Sequence, residues 1–147
     1  MMDDLEYGPI TGAEFNGTNE VAIFLGRIRE EFEAIDTLEL AHLLETNGAL
    51  LIDARETDEY VRGHVAGALN IPAGAIEFGA SELDREKTAV VYGNDGWSME
   101  AYAAADKLRT LFFSDVRVLS GGFAAWKRNG RVVEPGLKVA CVSMGPH

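Results

Sequence analysis

The 147-residue chain is short of cysteine, of positive charge and of long apolar runs. Cys141 is the single cysteine, so no disulfide can close within the chain. That composition fits a reducing compartment, and a cytoplasmic location is expected. Thirteen Lys and Arg stand against 24 Asp and Glu, for a formal net charge of −11. Such a surface repels phosphate backbones and anionic lipid, which argues against nucleic-acid and membrane-surface partners. No apolar run approaches the ~20 residues of a membrane span. The first residues, MMDDLEYGPITG, are acidic and lack the apolar core of a signal peptide. No metal and no cofactor is expected.

What remains is an ordinary globular balance of 47% hydrophobic and 25% charged residues. A chain of this length buries ~70% of its unfolded surface, enough for one self-sufficient core. Residues 1–18 have no periodicity and read as a mobile lead. From Thr18 onward, Val21, Phe24, Leu25, Ile28 and Phe32 fall at helical spacing, so residues 19–34 read as an added amphipathic helix. An apolar stripe outside the core covers the sheet edge or pairs with its twin, and a homodimer is expected.

Asp36-Thr37-Leu38-Glu39 has the form of a capping box and opens a short helix over 37–46, with Leu40, Leu43 and Leu44 inward. Ala49-Leu50-Leu51-Ile52-Asp53 is a continuous apolar run ending in a carboxylate, as buried parallel strands do. Residues 56–62 make one or two helical turns. Strands are expected at 68–71, 88–92 and 115–119, and helices at 98–112 and 123–127. Strands alternating with helices predict an α/β fold with a parallel sheet. In the tail, 131–147, the alternation of Leu137, Val139 and Cys141 is a weak strand signal.

The segment Leu51-Ile52-Asp53-Ala54-Arg55, then Glu59-Tyr60, then Gly63-His64-Val65-x-Gly67-Ala68-x-Asn70-Ile71-Pro72 resembles the first signature of the rhodanese family. Val90-Val91-Tyr92, Gly96 and Leu119-x-Gly121-Gly122-Phe123-x-x-Trp126 look like its second half. The resemblance covers residues 36–130, and 35–130 is taken as a rhodanese-like domain. It implies a five-stranded parallel sheet flanked by helices on both faces. It also implies transfer of sulfane sulfur through a cysteine persulfide, at the head of a loop resembling Cys-x-x-Gly-x-Arg-Ser. A thiolate with a depressed pKa is the nucleophile, and amides at a helix N-terminus supply the field that lowers it.

The matching loop here is Gly93-Asn94-Asp95-Gly96-Trp97-Ser98-Met99. The resemblance puts Gly93 at the cysteine, Ser98 at the arginine and Met99 at the serine, and keeps Gly96. Glycine cannot hold a persulfide, so no catalytic residue is intact and ordinary rhodanese turnover is not expected. The loop 93–98 then reads as a binding surface for a protein partner or a small molecule. Its amides need acceptors, since a buried unpaired donor costs ~1–3 kcal/mol. Water, an anion or Asp95 itself would serve, with water or Asp95 favoured. Trp97 either anchors a partner at the pocket mouth or folds over the emptied pocket.

Asp53, Arg55, Glu59 and His64 read as framework or pocket rim. Arg55 and Glu59 stand at the i, i+4 spacing of a structural ion pair. His64, in a turn, is expected to bond backbone rather than move protons. His42 is expected to be solvated. Cys141 is the alternative nucleophile, giving a sulfurtransferase that uses it or a thiol from a partner. Its neighbours Ala140 and Val142 favour a small buried hydrophobe instead.

Overall fold

The structure is a computed structural model that describes residues 32–137. The expected lead over 1–18, nearly all of the amphipathic helix, the strand signal beyond Leu137, and Cys141 lie outside the described residues.

In chain order the elements are β1 (Glu33–Ile35), α1 (Thr37–Glu45), β2 (Ala49–Asp53), α2 (Thr57–Arg62), β3 (His64–Val65) and β4 (Leu69–Asn70). A 3₁₀ turn (Ala73–Ala75) and α3 (Ile76–Gly79) follow. Then come β5 (Thr88–Tyr92), α4 (Met99–Thr110), β6 (Val116–Leu119), α5 (Gly122–Arg128) and β7 (Val133–Glu134). Five strands form one sheet in the order β1-β6-β5-β2-β4, every pair parallel, while β3 and β7 pair antiparallel beside it. The α/β architecture with a five-stranded parallel sheet is therefore as expected.

Period-2 geometry sorts the strand side chains onto two faces. Leu51, Val90, Tyr92 and Leu119 join Leu40 of α1, Tyr60 of α2, and Phe123 and Trp126 of α5 in one apolar cluster. Ile52, Ala89, Val91 and Val118 alternate with them and are also buried. On that side α4 packs on β5 and β6, and its buried Ala101, Ala104, Ala105 and Leu108 allow close approach. With both faces covered, the strands read as unbroken apolar runs rather than alternating ones. Full burial of a side chain such as Leu40 or Ile52 stabilises the fold by roughly 1.5–3 kcal/mol.

The N-cap half of the box forms: Asp36 Oδ1 accepts from the Glu39 amide at 2.8 Å. Helix α1 ends with Asn47 at φ 57°, the Gly48 amide donating to Leu43 O and the Asn47 amide to Leu44 O. That is the Schellman arrangement. Helix α4 ends the same way with Phe112, at φ 72°, in the left-handed position. There the Phe112 amide donates to Arg109 O at 3.0 Å and the Phe113 amide to Leu108 O at 3.2 Å.

Three elements differ from expectation. Glu33 is not helical: it begins β1, which pairs with β6 through Glu33↔Arg117 and Ile35↔Leu119. Only Ile35 of β1 is buried, so this edge strand leaves almost no apolar pattern. Helix α3 is four residues long, too short to show a period. The tail contributes a strand that no alternation announces, β7 at Val133–Glu134.

Candidate functional site

Strands β2 and β5 are neighbours, and their register pairs the last residues, Asp53 with Tyr92. The carboxyl ends of both strands are tied by one buried polar node. The Tyr92 hydroxyl donates to Asp53 Oδ2 at 2.7 Å and accepts from the Val65 amide at 3.0 Å. Arg55 donates through Nε to both Asp53 oxygens, at 3.0 and 3.1 Å, and through Nη2 to Oδ2 at 2.7 Å. The same Nη2 donates to Gly63 O at 2.7 Å, and the Arg55 amide to Asp53 Oδ1 at 2.9 Å. The guanidinium carbon lies 4.2 Å over the Phe123 ring.

Burial works to lower the Arg55 pKa, but the hydrogen bonds and charge of Asp53 outweigh it and the net direction is upward. Burial first, then the charge and hydrogen bond of Asp53, push the Tyr92 phenol far above its ordinary value. Each Asp53 oxygen therefore has its donors, and the carboxylate has no lone pair turned toward a substrate. The node is framework that fixes where the next residue of each strand begins.

The Arg55–Glu59 ion pair expected from spacing does not form. Helix α2 begins at Thr57, so Arg55 precedes it and the i, i+4 geometry never applies. Asp53 takes the guanidinium instead. Glu59 accepts from Asn94 Nδ2 at 3.3 Å, and Arg55 Nη1 reaches Asn94 Oδ1 at 3.4 Å.

The loop leaving β5 rests on the start of α5. The first amides of that helix are spent on it: Phe123 N donates to Gly93 O and Ala124 N to Asn94 O, both at 2.9 Å. Gly122, at φ 61°, makes the approach possible, because a Cβ there would lie 2.7 Å from Gly93 O and 2.8 Å from Asp95 N. The Asp95 side chain accepts from the Trp97 amide at 2.9 Å, and its carbonyl from the Ser98 amide at 3.4 Å. Gly96 faces the Gly121 backbone, 3.6 Å from where its Cβ would stand.

The space beside Gly93 is filled. A Cβ at residue 93 would overlap Ser98 Oγ and come within 2.5 Å of Ser98 Cβ. Ser98 is buried, and its hydroxyl donates to the Glu100 carboxylate in a short hydrogen bond. Trp97 and Met99, on either side of it, point outward with 65% and 45% exposure. The indole does not close over the loop.

His64 is buried, stacked at 3.7 Å on the Tyr60 ring, with Nδ1 2.8 Å from Tyr60 O and Nε2 3.4 Å from Glu134 Oε2. It ties α2 to the β3–β7 ribbon and lies away from the loop's hydrogen bonds. His42 is exposed on α1, 4.0 Å from Glu45. Sequence reasoning missed the lock of Ser98 onto Gly93, for which no periodicity could serve as a signal. It also missed Arg62 and Lys127, which join Arg55, Glu59 and Asn94 around one cleft. Among the described residues, no cluster of three or more His, Cys, Asp or Glu could hold a metal. No helix there is long and apolar enough to cross a membrane.

A loop between a central parallel strand and a helix, backed by a Gly-Gly turn and a buried Asp–Arg node, lies within residues 36–129. Those residues match the family described as Rhodanese-like domain, and the chain belongs to it. Thiosulfate sulfurtransferase GlpE of Coxiella burnetii (strain RSA 493) is 30% identical over 96 residues, 65% of this chain and 88% of that protein. The uncharacterised protein YibN of Escherichia coli K12 is 32% identical over 89 residues, 60% of this chain, and the chain spans 62% of YibN's own length. Among solved structures, the Alr3790 protein from Anabaena is 29% identical with a TM-score of 0.63, covering 74% of this chain and 86% of that one. A thiosulfate sulfurtransferase from Pseudomonas aeruginosa shares the fold, with a TM-score of 0.70 at 21% identity, over 81% of this chain and 23% of that one.

Proposed function

We propose that this chain is a non-catalytic rhodanese-like domain, acting in binding or regulation rather than as a persulfide carrier. The observation that carries the reading is the filled space at Gly93. Glycine brings no sulfur to the position where the family resemblance calls for cysteine, and Ser98 occupies the volume such a side chain needs. The surroundings argue the same way. A persulfide-forming thiolate wants cations or unspent amides nearby. The loop offers no cation, places Asp95 and Glu100 beside Ser98, and has the Trp97 amide already taken by Asp95.

The partner in this reading is a protein that meets the loop 93–98. Trp97 supplies a large rigid anchor, and aromatic residues of this kind dominate interface energetics. The acidic composition and single cysteine support a cytoplasmic setting. Self-association through the stripe of residues 19–33 belongs to the same proposal. Sedimentation of a chain beginning at Phe32, which keeps β1, checks it: an unchanged mass excludes that stripe as the contact.

The deciding assay is thiosulfate:cyanide sulfur transfer on the purified chain. Background rates, the same in Cys141→Ser, are expected. Turnover well above background that disappears in Cys141→Ser would replace this reading with a sulfurtransferase built on Cys141.

A further inference from the structure

A groove of about 480 Å³ lies between α1 and the segment that joins α5 to β7. None of its lining residues belongs to the loop 93–98 or to the node of Asp53, Arg55 and Tyr92. Its volume falls within the ~300–1,000 Å³ of small-molecule sites. Hydrogen bonds fix its walls. Val132 O accepts from Trp126 Nε1 at 2.8 Å and from the Ala66 amide at 3.2 Å, and the Arg131 amide donates to Trp126 O at 3.3 Å. Asn129 Nδ2 donates to Thr37 Oγ1 at 3.0 Å, which ties the segment to α1. A groove held this way is formed before a ligand arrives, so binding spends little on ordering it.

The lining is apolar apart from a few groups. Ala41, Leu44, Ala66 and the buried Trp126 supply apolar wall, and Val132 stays exposed beside them. Arg131 is the single cation in the lining. Its guanidinium carbon lies 5.8 Å from the centre of the Trp126 ring. Its Nε is buried without a hydrogen-bond partner, and no carboxylate among the described residues pairs with it. An unpaired buried donor is costly, more so on a charged group. With no hydrogen bond holding the head, the guanidinium is free to turn from the ring and present its Nε–Nη edge. That planar fork matches the two oxygens of a carboxylate. Glu45 places one carboxylate in the same lining, which disfavours a ligand with a second negative charge. The chain carries −11 overall, yet Lys127, Arg128 and Arg131 put three of its 13 cations within five residues, so the field here favours an approaching anion.

We propose that this groove binds a small monocarboxylate with an aromatic or branched aliphatic body, the carboxylate taken by Arg131 and the body laid against Trp126, Leu44 and Ala41. The site uses neither the loop 93–98 nor any sulfur chemistry, so it goes beyond the function proposed above.

The test is an amide-shift titration of the ¹⁵N-labelled full chain with phenylacetate, with its uncharged amide phenylacetamide, and with acetate, sodium chloride holding ionic strength constant. Saturable shifts at Ala41, Leu44, Ala66, Gly130 and Val132 are expected with phenylacetate. It should bind at least about tenfold tighter than phenylacetamide, which lacks the charge, and than acetate, which lacks the ring. Arg131→Gln should abolish the preference for acid over amide, and Arg131→Lys, which keeps the charge without the fork, should restore only part of it. The comparison of probes on the unaltered chain decides the matter even where a variant folds poorly. No saturation with phenylacetate, shifts centred away from this groove, equal affinity for phenylacetate and either comparison probe, or an acid preference that survives Arg131→Gln would overturn the proposal. No sulfur transfer is read, so failure here and failure of the sulfur assay are separate results.

Discussion

Ser98 stands where a side chain on Gly93 would have to go, its Cβ 2.5 Å from the Cβ that residue 93 lacks. Rotating the serine moves its hydroxyl aside but leaves Cβ where it is. Gly93→Cys therefore forces the loop backbone to shift, an overpacking cost of roughly 1–3 kcal/mol. Urea denaturation should show that loss, and Gly93→Cys/Ser98→Gly should recover most of it. A single Gly93→Cys variant as stable as the parent would mean that the loop yields freely.

Tyr92 donates to Asp53, and Asp53 is gripped by Arg55, inside a region that water does not reach. Removing one member strands the others. Arg55→Ala leaves a buried carboxylate without its cation and should cost about 3–5 kcal/mol. Tyr92→Phe removes one donor from Asp53 and one acceptor from the Val65 amide, for about 1–3 kcal/mol. Midpoints of urea unfolding at unchanged slope measure both.

Phe112 sits at the left-handed position that closes α4, where a side chain other than glycine costs roughly 1–2 kcal/mol. Its ring is 84% exposed and returns little of that cost. The Leu108–Phe113 pair, both buried, supplies the apolar contact of the motif. Phe112→Gly should raise stability by about 1 kcal/mol, less whatever freedom the glycine adds to the unfolded chain. Thermal melting gives the sign directly.

Burial works to raise the Asp115 carboxyl, but hydrogen bonds from Arg117 and Thr88 and the charge of Arg117 outweigh it, and the pKa is lowered. A carboxyl lowered on folding contributes stability that is complete above its unfolded pKa and is lost as pH falls through the folded one. Asp115→Asn should therefore destabilise at neutral pH and converge on the parent as pH falls through the lowered folded-state pKa of Asp115. The side chain is 36% exposed, so solvent screening holds the neutral-pH difference to about 1 kcal/mol at most. Denaturation midpoints of the two proteins across pH 2–7 check the convergence.

The fold was legible where apolar runs are long. Ala49–Asp53 and Thr88–Tyr92 are buried on both faces and announce themselves as strands. The cap at Asp36 was equally plain, because its partner Glu39 is local. Short elements were not legible: β1 buries one residue of three, and β7 is two residues long. At the site, the order of the loop was readable, but its contents depend on contacts across the chain. Arg55 chose Asp53 over Glu59 because the helix starts two residues after Arg55, a boundary that spacing alone does not fix. Arg62 and Lys127 stand far apart in sequence and meet only because α2 and α5 flank one crevice.

The β3–β7 ribbon lies partly beyond the family match, which stops at residue 129. Val132 O accepts both the Trp126 indole at 2.8 Å and the Ala66 amide at 3.2 Å, and Glu134 takes the Gly67 amide at 3.1 Å. The Gly136 amide reaches back to Val61 O at 2.9 Å. Excising the domain at its family boundary would thus orphan a buried indole and unzip the two-stranded clasp. An expression boundary drawn past residue 136 retains both.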